Sequence, residues 1–158
     1  MNKGKKRLTD EEALAKLQRY CAYQERAHSQ VRSKLLQYEI YGDRLEQIIS
    51  LLIQDNFLNE ERFACSYARG KFRFKKWGRI KIRQKLSRLN VSEYCIKMGM
   101  KEIDDTEYLS TLSALIEQKR NTIKGRSDFE VNQLCAAYVI RKGFESELVW
   151  QLLKEKNN

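Results

Sequence analysis

The side chains that most often carry chemistry are few in this chain and poorly spaced for it. His28 is the single histidine, so no second imidazole can complete a proton relay or a metal pair. Cys21, Cys65, Cys95 and Cys135 form no CxxC pair and sit among apolar neighbours at helical spacing, the setting of a buried reduced thiol that acts as a small hydrophobe. There is no GxxxxGK[ST] loop to cradle a nucleotide and no GxSxG elbow. The paired acids Glu60 with Glu61, and Asp104 with Asp105, fall where helices are expected to begin, and there they complement the positive end of the helix dipole. His28 lies near another such start, as a capping or surface residue. The expectation is a protein with no catalytic centre, no metal and no cofactor.

Cations are what the chain does concentrate. Between positions 69 and 88 stand Arg69, Lys71, Arg73, Lys75, Lys76, Arg79, Lys81, Arg83, Lys85 and Arg88, with no acid among them. Bases and acids balance over the rest of the chain, so the formal excess of +10 resides in this one segment. Phe72, Phe74 and Trp77 are interleaved with the cations, a mixture suited to neutralising phosphates and stacking on bases. Such a run repels itself unless a polyanion relieves it. The ten cations and Trp77 are therefore the candidate contacts for nucleic acid or for an acidic groove on a nucleoprotein. A smaller group, Lys3, Lys5, Lys6 and Arg7, is expected to form a flexible basic arm over residues 1–8 beside Gly4.

The elements that must position these residues all read as helices. At the usual frequency of roughly 5%, a chain of this length would hold about eight prolines; it holds none, so no segment is barred from helix. Apolar stripes recur with a period near 3.6: Leu14, Leu17 and Cys21; Leu45, Ile48, Ile49 and Leu52; Ile82, Leu86 and Leu89; Tyr108, Leu112, Leu115 and Ile116. Capping boxes are predicted at Thr9 with Glu12 and at Ser127 with Glu130, and stops at Gly42, Gly125 and Gly143. Phe72-Arg73-Phe74 reads as the end of a helix that begins near Asn59.

The punctuation repeats. Second-helix starts fall at Ser29, Gly78 and Ser127, about 49 residues apart, and third-helix starts at Asp43, Ser92 and Glu145. The expected fold is all-α, three tandem three-helix repeats forming an elongated, curved array, with units at 9–57, 58–103 and 104–158. The most apolar stretch, 48–53, is far too short to cross a membrane, and no apolar leader follows the basic start. A cytoplasmic monomer is expected.

Leu58-Asn59-Glu60-Glu61-Arg62-Phe63-Ala64, then Tyr67-Ala68-Arg69, then Trp77-Gly78-Arg79-x-Lys81-Ile82 with Leu86 one turn on, resembles the central repeat of the RecX family of recombination regulators. The first unit is similar to the family pattern R-S-x-x-E-L-x-x-K-L at Arg26, Lys34 and Leu35, with Ala27, Gln30 and Val31 in place of its Ser, Glu and Leu. In the third unit Arg141-Lys142-Gly143-Phe144 resembles the family's helix junction. The resemblance covers about residues 13–155. It implies three tandem three-helix repeats that bind the RecA recombinase filament on single-stranded DNA and suppress its extension, ATP hydrolysis and strand exchange. The runner-up expectation is a stand-alone binder of duplex DNA that uses the helix from Gly78 as a groove reader.

Overall fold

A computed structural model describes residues 7–156. Among the described residues the chain forms nine helices and no strand: α1 (Asp10–Tyr23), α2 (His28–Gln37), α3 (Gly42–Gln54), α4 (Glu60–Lys75), α5 (Arg79–Arg88), α6 (Glu93–Met100), α7 (Asp105–Arg120), α8 (Asp128–Arg141) and α9 (Ser146–Lys156). They fall into three successive triplets, the all-α tandem arrangement that the punctuation predicts. None of these helices is long and apolar enough to cross a membrane. Lys3, Lys5 and Lys6 of the expected basic arm lie outside the described residues; Arg7, within them, stands 3.9 Å from Glu39.

Local chemistry fixes the helix starts. The side chains of Thr9, Asn59, Ser92, Asp104 and Ser127 each accept the amide of the residue three positions on, satisfying one of the orphan donors of a helix N-terminus. Both predicted capping boxes form by half, because the Glu12 carboxylate accepts from the Thr9 hydroxyl and the Glu130 carboxylate is taken by Arg126. At α2 it is the other half that forms. Ala27 is the cap residue, and its amide donates to Gln30 Oε1 at 2.9 Å. This sets the start ahead of Ser29, whose hydroxyl instead donates to the Leu89 carbonyl at 2.6 Å.

Two of the three expected glycine stops lie elsewhere. Gly143 takes a left-handed φ of 102° just past α8, as a stop should, but Gly42 is the first residue of α3 and Gly125 lies beyond the end of α7. Glu39, Asn56, Lys76 and Asn90 adopt the left-handed conformation just past α2, α3, α4 and α5. Glu39 and Lys76 do so at a cost of about 1 kcal/mol that a glycine would not incur, whereas asparagine tolerates this conformation.

Two apolar cores run through the array. The first is made by α1 to α3, with Leu17, Leu35 and Leu52 at its centre, and Leu58, beyond the expected boundary of the first unit, closes it. The second is continuous from α4 to α9, through Phe72, Ile82, Leu86, Tyr108 and Phe144, and reaches back into the first triplet only at Ala27. Where the second and third triplets meet, main chain packs on main chain. The Gly78 amide donates to the Lys142 carbonyl at 2.8 Å and the Ile80 amide to the Gly143 carbonyl at 3.0 Å. A Cβ on Gly78 would lie 2.2 Å from the Gly143 backbone, and one on Gly143 would lie 2.4 Å from Lys81 Cβ. The first and second triplets are held by a polar clip instead. Arg62 donates to Glu25 at 2.6 Å, to the Asn56 side chain at 3.0 Å and to the Asn56 carbonyl at 3.0 Å.

Candidate functional site

The basic segment occupies the C-terminal half of α4, the turn at Lys76 and the whole of α5. Ile82 and Leu86 anchor α5 in the second core, which leaves its cations on the flanks of the helix. Folding then divides the cations into three classes.

Three of the ten are neutralised by acids from other elements. Arg69 pairs with Glu102 at 3.0 Å and Arg83 with Glu93 at 3.4 Å. Arg79 is the most committed: its guanidinium meets Glu145 at 3.0 Å and Asp105 at 2.6 Å and lies 3.9 Å from the centre of the Tyr108 ring. Its amide donates to the Tyr108 hydroxyl at 3.0 Å, and that hydroxyl donates in turn to Glu145. Burial, and then the hydrogen bond to Glu145, hold the Tyr108 phenol protonated well above its ordinary range. This network is the side-chain part of the junction between the second and third triplets.

Lys71 and Lys81 flank Trp77, with their ammonium groups 5.0 and 4.5 Å from its ring centre. Trp77 itself is half-buried against the second core, so it serves both packing and the attraction of its ring for two cations. Arg73, Lys75, Lys76, Lys85 and Arg88 have no acidic partner among the described residues. Four of these side chains are exposed and Lys85 is half-exposed. Lys142, which sequence reasoning missed because it lies in the third triplet, joins them at the end of α4 by donating to the Lys75 carbonyl at 3.2 Å.

The aromatics divide as well. Phe72 lies in the core between α4 and Tyr108, whereas Phe74 is 84% exposed amid the cations. Beside it, between the turn from α1 to α2 and the length of α4, runs a cleft of about 420 Å³. Gly70 lies in its wall, and a Cβ there would meet nothing within 4 Å.

The remaining candidates occupy ordinary structural places. His28 is the first residue of α2, Glu60 reaches the Ser92 amide at 3.4 Å, and Asp104 caps α7. Cys21, Cys95 and Cys135 are buried and Cys65 is half-exposed; burial pushes the Cys21 and Cys65 thiols up. Among the described residues no group of three or more His, Cys, Asp or Glu side chains is placed to hold a metal ion.

Residues 59–100, the central triplet with its α4–α5 turn, match the family model of the second three-helix domain of RecX. The regulatory protein RecX of Bacillus cytotoxicus is 27% identical over 136 residues, 86% of this chain and 50% of that protein. That of Bacillus mycoides is 23% identical over the same coverage. The chain thus spans about half the length of the curated relatives it matches. In fold it is similar to the crystal structure of RecX from Lactobacillus salivarius, with a TM-score of 0.84 at 21% identity over 92% of this chain and 95% of that one. A crystal structure of regulatory protein RecX gives 0.82 at 20% identity, over 92% of this chain and 73% of that one. The cationic turn therefore lies within the stretch that matches the second three-helix domain of RecX, on a chain similar to RecX proteins in sequence and in fold.

Proposed function

We propose that this chain binds the filament of a RecA recombinase on single-stranded DNA and inhibits its extension, its ATP hydrolysis and its strand exchange. The observation that carries the reading is the set of unneutralised cations, Arg73, Lys75, Lys76, Lys85 and Arg88, on one RecX-type domain. These, with Lys71 and Lys81, contact DNA phosphates or acidic residues of the filament. Arg69, Arg79 and Arg83 hold the surface in shape. The outer units, 9–57 and 104–158, touch neighbouring protomers, so that individually weak contacts along a helical polymer reinforce one another through effective concentration. The protein acts in the cytoplasm as a monomer and performs no reaction of its own.

The alternative, α5 as a reader of the major groove, is less well supported. A recognition helix uses its N-terminal residues on base edges, and here the first turn of α5 is spent on the third triplet. Gly78 packs on Gly143, and Arg79 is engaged by Glu145 and Asp105.

The test is single-stranded-DNA-dependent ATP hydrolysis by the recombinase of the same cell, titrated with this chain at two salt concentrations. Inhibition well below one molecule per recombinase protomer is expected. Replacing Lys75, Lys76, Lys85 and Arg88 together by alanine should weaken it and lower the salt slope by about 0.7 per lost phosphate contact on a single strand. Absence of inhibition beside tight binding to bare duplex would overturn the proposal in favour of a groove reader.

A further inference from the structure

The cleft beside α4 has an unusual construction. Tyr67, Gly70, Lys71, Phe74 and Lys75 line one side of it, a single face of α4 over more than two turns, while Gln24 and Gln30 of the first triplet line the other. A glycine in the middle of a helix costs stability relative to alanine. Gly70 has no left-handed φ to explain it, and no neighbour approaches it closely enough to exclude a side chain. The packing of the fold does not require it. What it does is keep open the wall of the cleft between Tyr67 and Phe74.

The surroundings of this opening are those a nucleotide needs. Phe74 presents a bare ring to solvent, the most exposed aromatic on α4. Lys75 has no acidic partner, and Lys71 is held by the rings of Tyr67 and Trp77, with its ammonium 5.3 and 5.0 Å from their centres. The one acid of the cleft, Glu25, is engaged by Arg62 at 2.6 Å through Oε1, while its Oε2 is buried without a hydrogen-bond partner. Gln30 uses its carbonyl oxygen on the Ala27 amide, which leaves its amide N–H groups to donate. A flat base, two cations one helical turn apart and side-chain donors at the base edge fit together here.

We propose that this cleft is a nucleotide subsite for single-stranded DNA. One base lies over Gly70 and stacks on Phe74, Lys71 and Lys75 take the flanking phosphates, and Gln24 and Gln30 meet the base edge. The inference rests on the reading that the basic surface engages a DNA strand and adds where a base is held. Because one wall comes from the first triplet and the other from the second, a bound strand also ties those two triplets together.

The experiment is an equilibrium titration of the full chain with a short oligodeoxythymidylate carrying 2-aminopurine in place of its central thymine, read by anisotropy and by fluorescence quenching. Phe74→Ala and Gly70→Leu are the variants; Phe129→Ala, at an exposed ring on α8, is the control. Stacking predicts that Phe74→Ala binds about five- to one-hundred-fold more weakly, with the quench lost and the salt slope unchanged. Gly70→Leu should lose affinity and quench while melting no lower than the parent chain, since it adds helix propensity and fills open space. Combined Lys85→Ala and Arg88→Ala should lower the salt slope and keep the quench at saturation. If Phe74→Ala and Gly70→Leu bind and quench like the parent chain while the Lys85 and Arg88 variant weakens, the subsite is overturned and the basic surface stands. If the parent chain binds no strand at any salt, the subsite and the reading of the basic surface as a DNA contact fall together, and only contact with acidic residues of the filament stands. Equal affinity for blunt duplex, whose bases are already stacked, overturns the subsite as well.

Discussion

Replacing Tyr108 by Phe isolates the chemistry of the junction between the second and third triplets. The ring is fully buried, with its centre 5.8 Å from that of Phe72 and 5.0 Å from that of Phe144, and phenylalanine keeps both contacts and nearly all the volume. Only the hydroxyl is lost. It donates to the Glu145 carboxylate, a bond of the charged class, worth about 1.5 to 3 kcal/mol. It also accepts the Arg79 amide, which lies at the part-buried start of α5 and would lose this acceptor. Since Arg79 still neutralises Glu145 in the variant, the two losses do not add in full, and about 2 to 4 kcal/mol is expected. For a chain of this size that is a fall in Tm of about 5 to 15 °C, measured by circular dichroism with Tyr67→Phe as a control expected to stay within about 0.5 kcal/mol. The pH dependence gives an independent readout. The folded Tyr108 phenol titrates above its unfolded value near 10, so its contribution is fully present below about pH 10 and is lost as pH rises toward the folded value. The parent chain should therefore lose up to about 1.4 kcal/mol per pH unit from this group above pH 10, and Tyr108→Phe should lose correspondingly less. Equal stability of the two proteins at neutral pH, with parallel alkaline profiles, would refute the reasoning.

Gly78→Ala places a methyl group 2.2 Å from the Gly143 backbone, which has no side chain to swing away; a substantial loss of stability and altered exchange protection at the Ile80 amide are expected by hydrogen exchange. Leu86→Ala empties a fully buried position in the second core and should cost about 2 to 5 kcal/mol in denaturant unfolding; a neutral result would mean that α5 packs in another orientation. A thiol reagent at neutral pH should label Cys65 in the native chain and reach Cys21, Cys95 and Cys135 only on unfolding, and four thiols of equal reactivity would contradict the burial pattern.

The triplet architecture was legible because its signals are local. A capping side chain at Asn59, Ser92 or Ser127 reads its own helix three residues away, and the spacing of such caps survives any detail of tertiary packing. The stops were less legible. Glu39 and Lys76 are not residues whose chemistry announces a left-handed turn, and they adopt it because the next helix must be brought back onto the core. The charge of the basic segment could be counted along the chain, but its neutralisation could not. Arg79 finds Asp105 and Glu145 at separations of 26 and 66 residues, and Arg69 finds Glu102 at 33. A window that holds ten cations and no acid therefore describes a folded surface with fewer free charges than its sequence suggests. Gly70 was similarly opaque, since only the folded chain shows that nothing occupies the space its side chain would take.

The two junctions of the array differ in kind, and the difference has a mechanical consequence. Between the second and third triplets, backbone rests on backbone around Gly78 and Gly143, and a shared core runs beneath, so any change of angle there must break hydrogen bonds and open packed space at once. Between the first and second, the Arg62 clip and the Ser29 hydroxyl span the joint, and Ala27 alone of the first triplet enters the second core. A rod built in this way has one stiff joint and one compliant one. Under load its curvature is expected to change at the Arg62 clip, with α4 to α9 moving as a single lever.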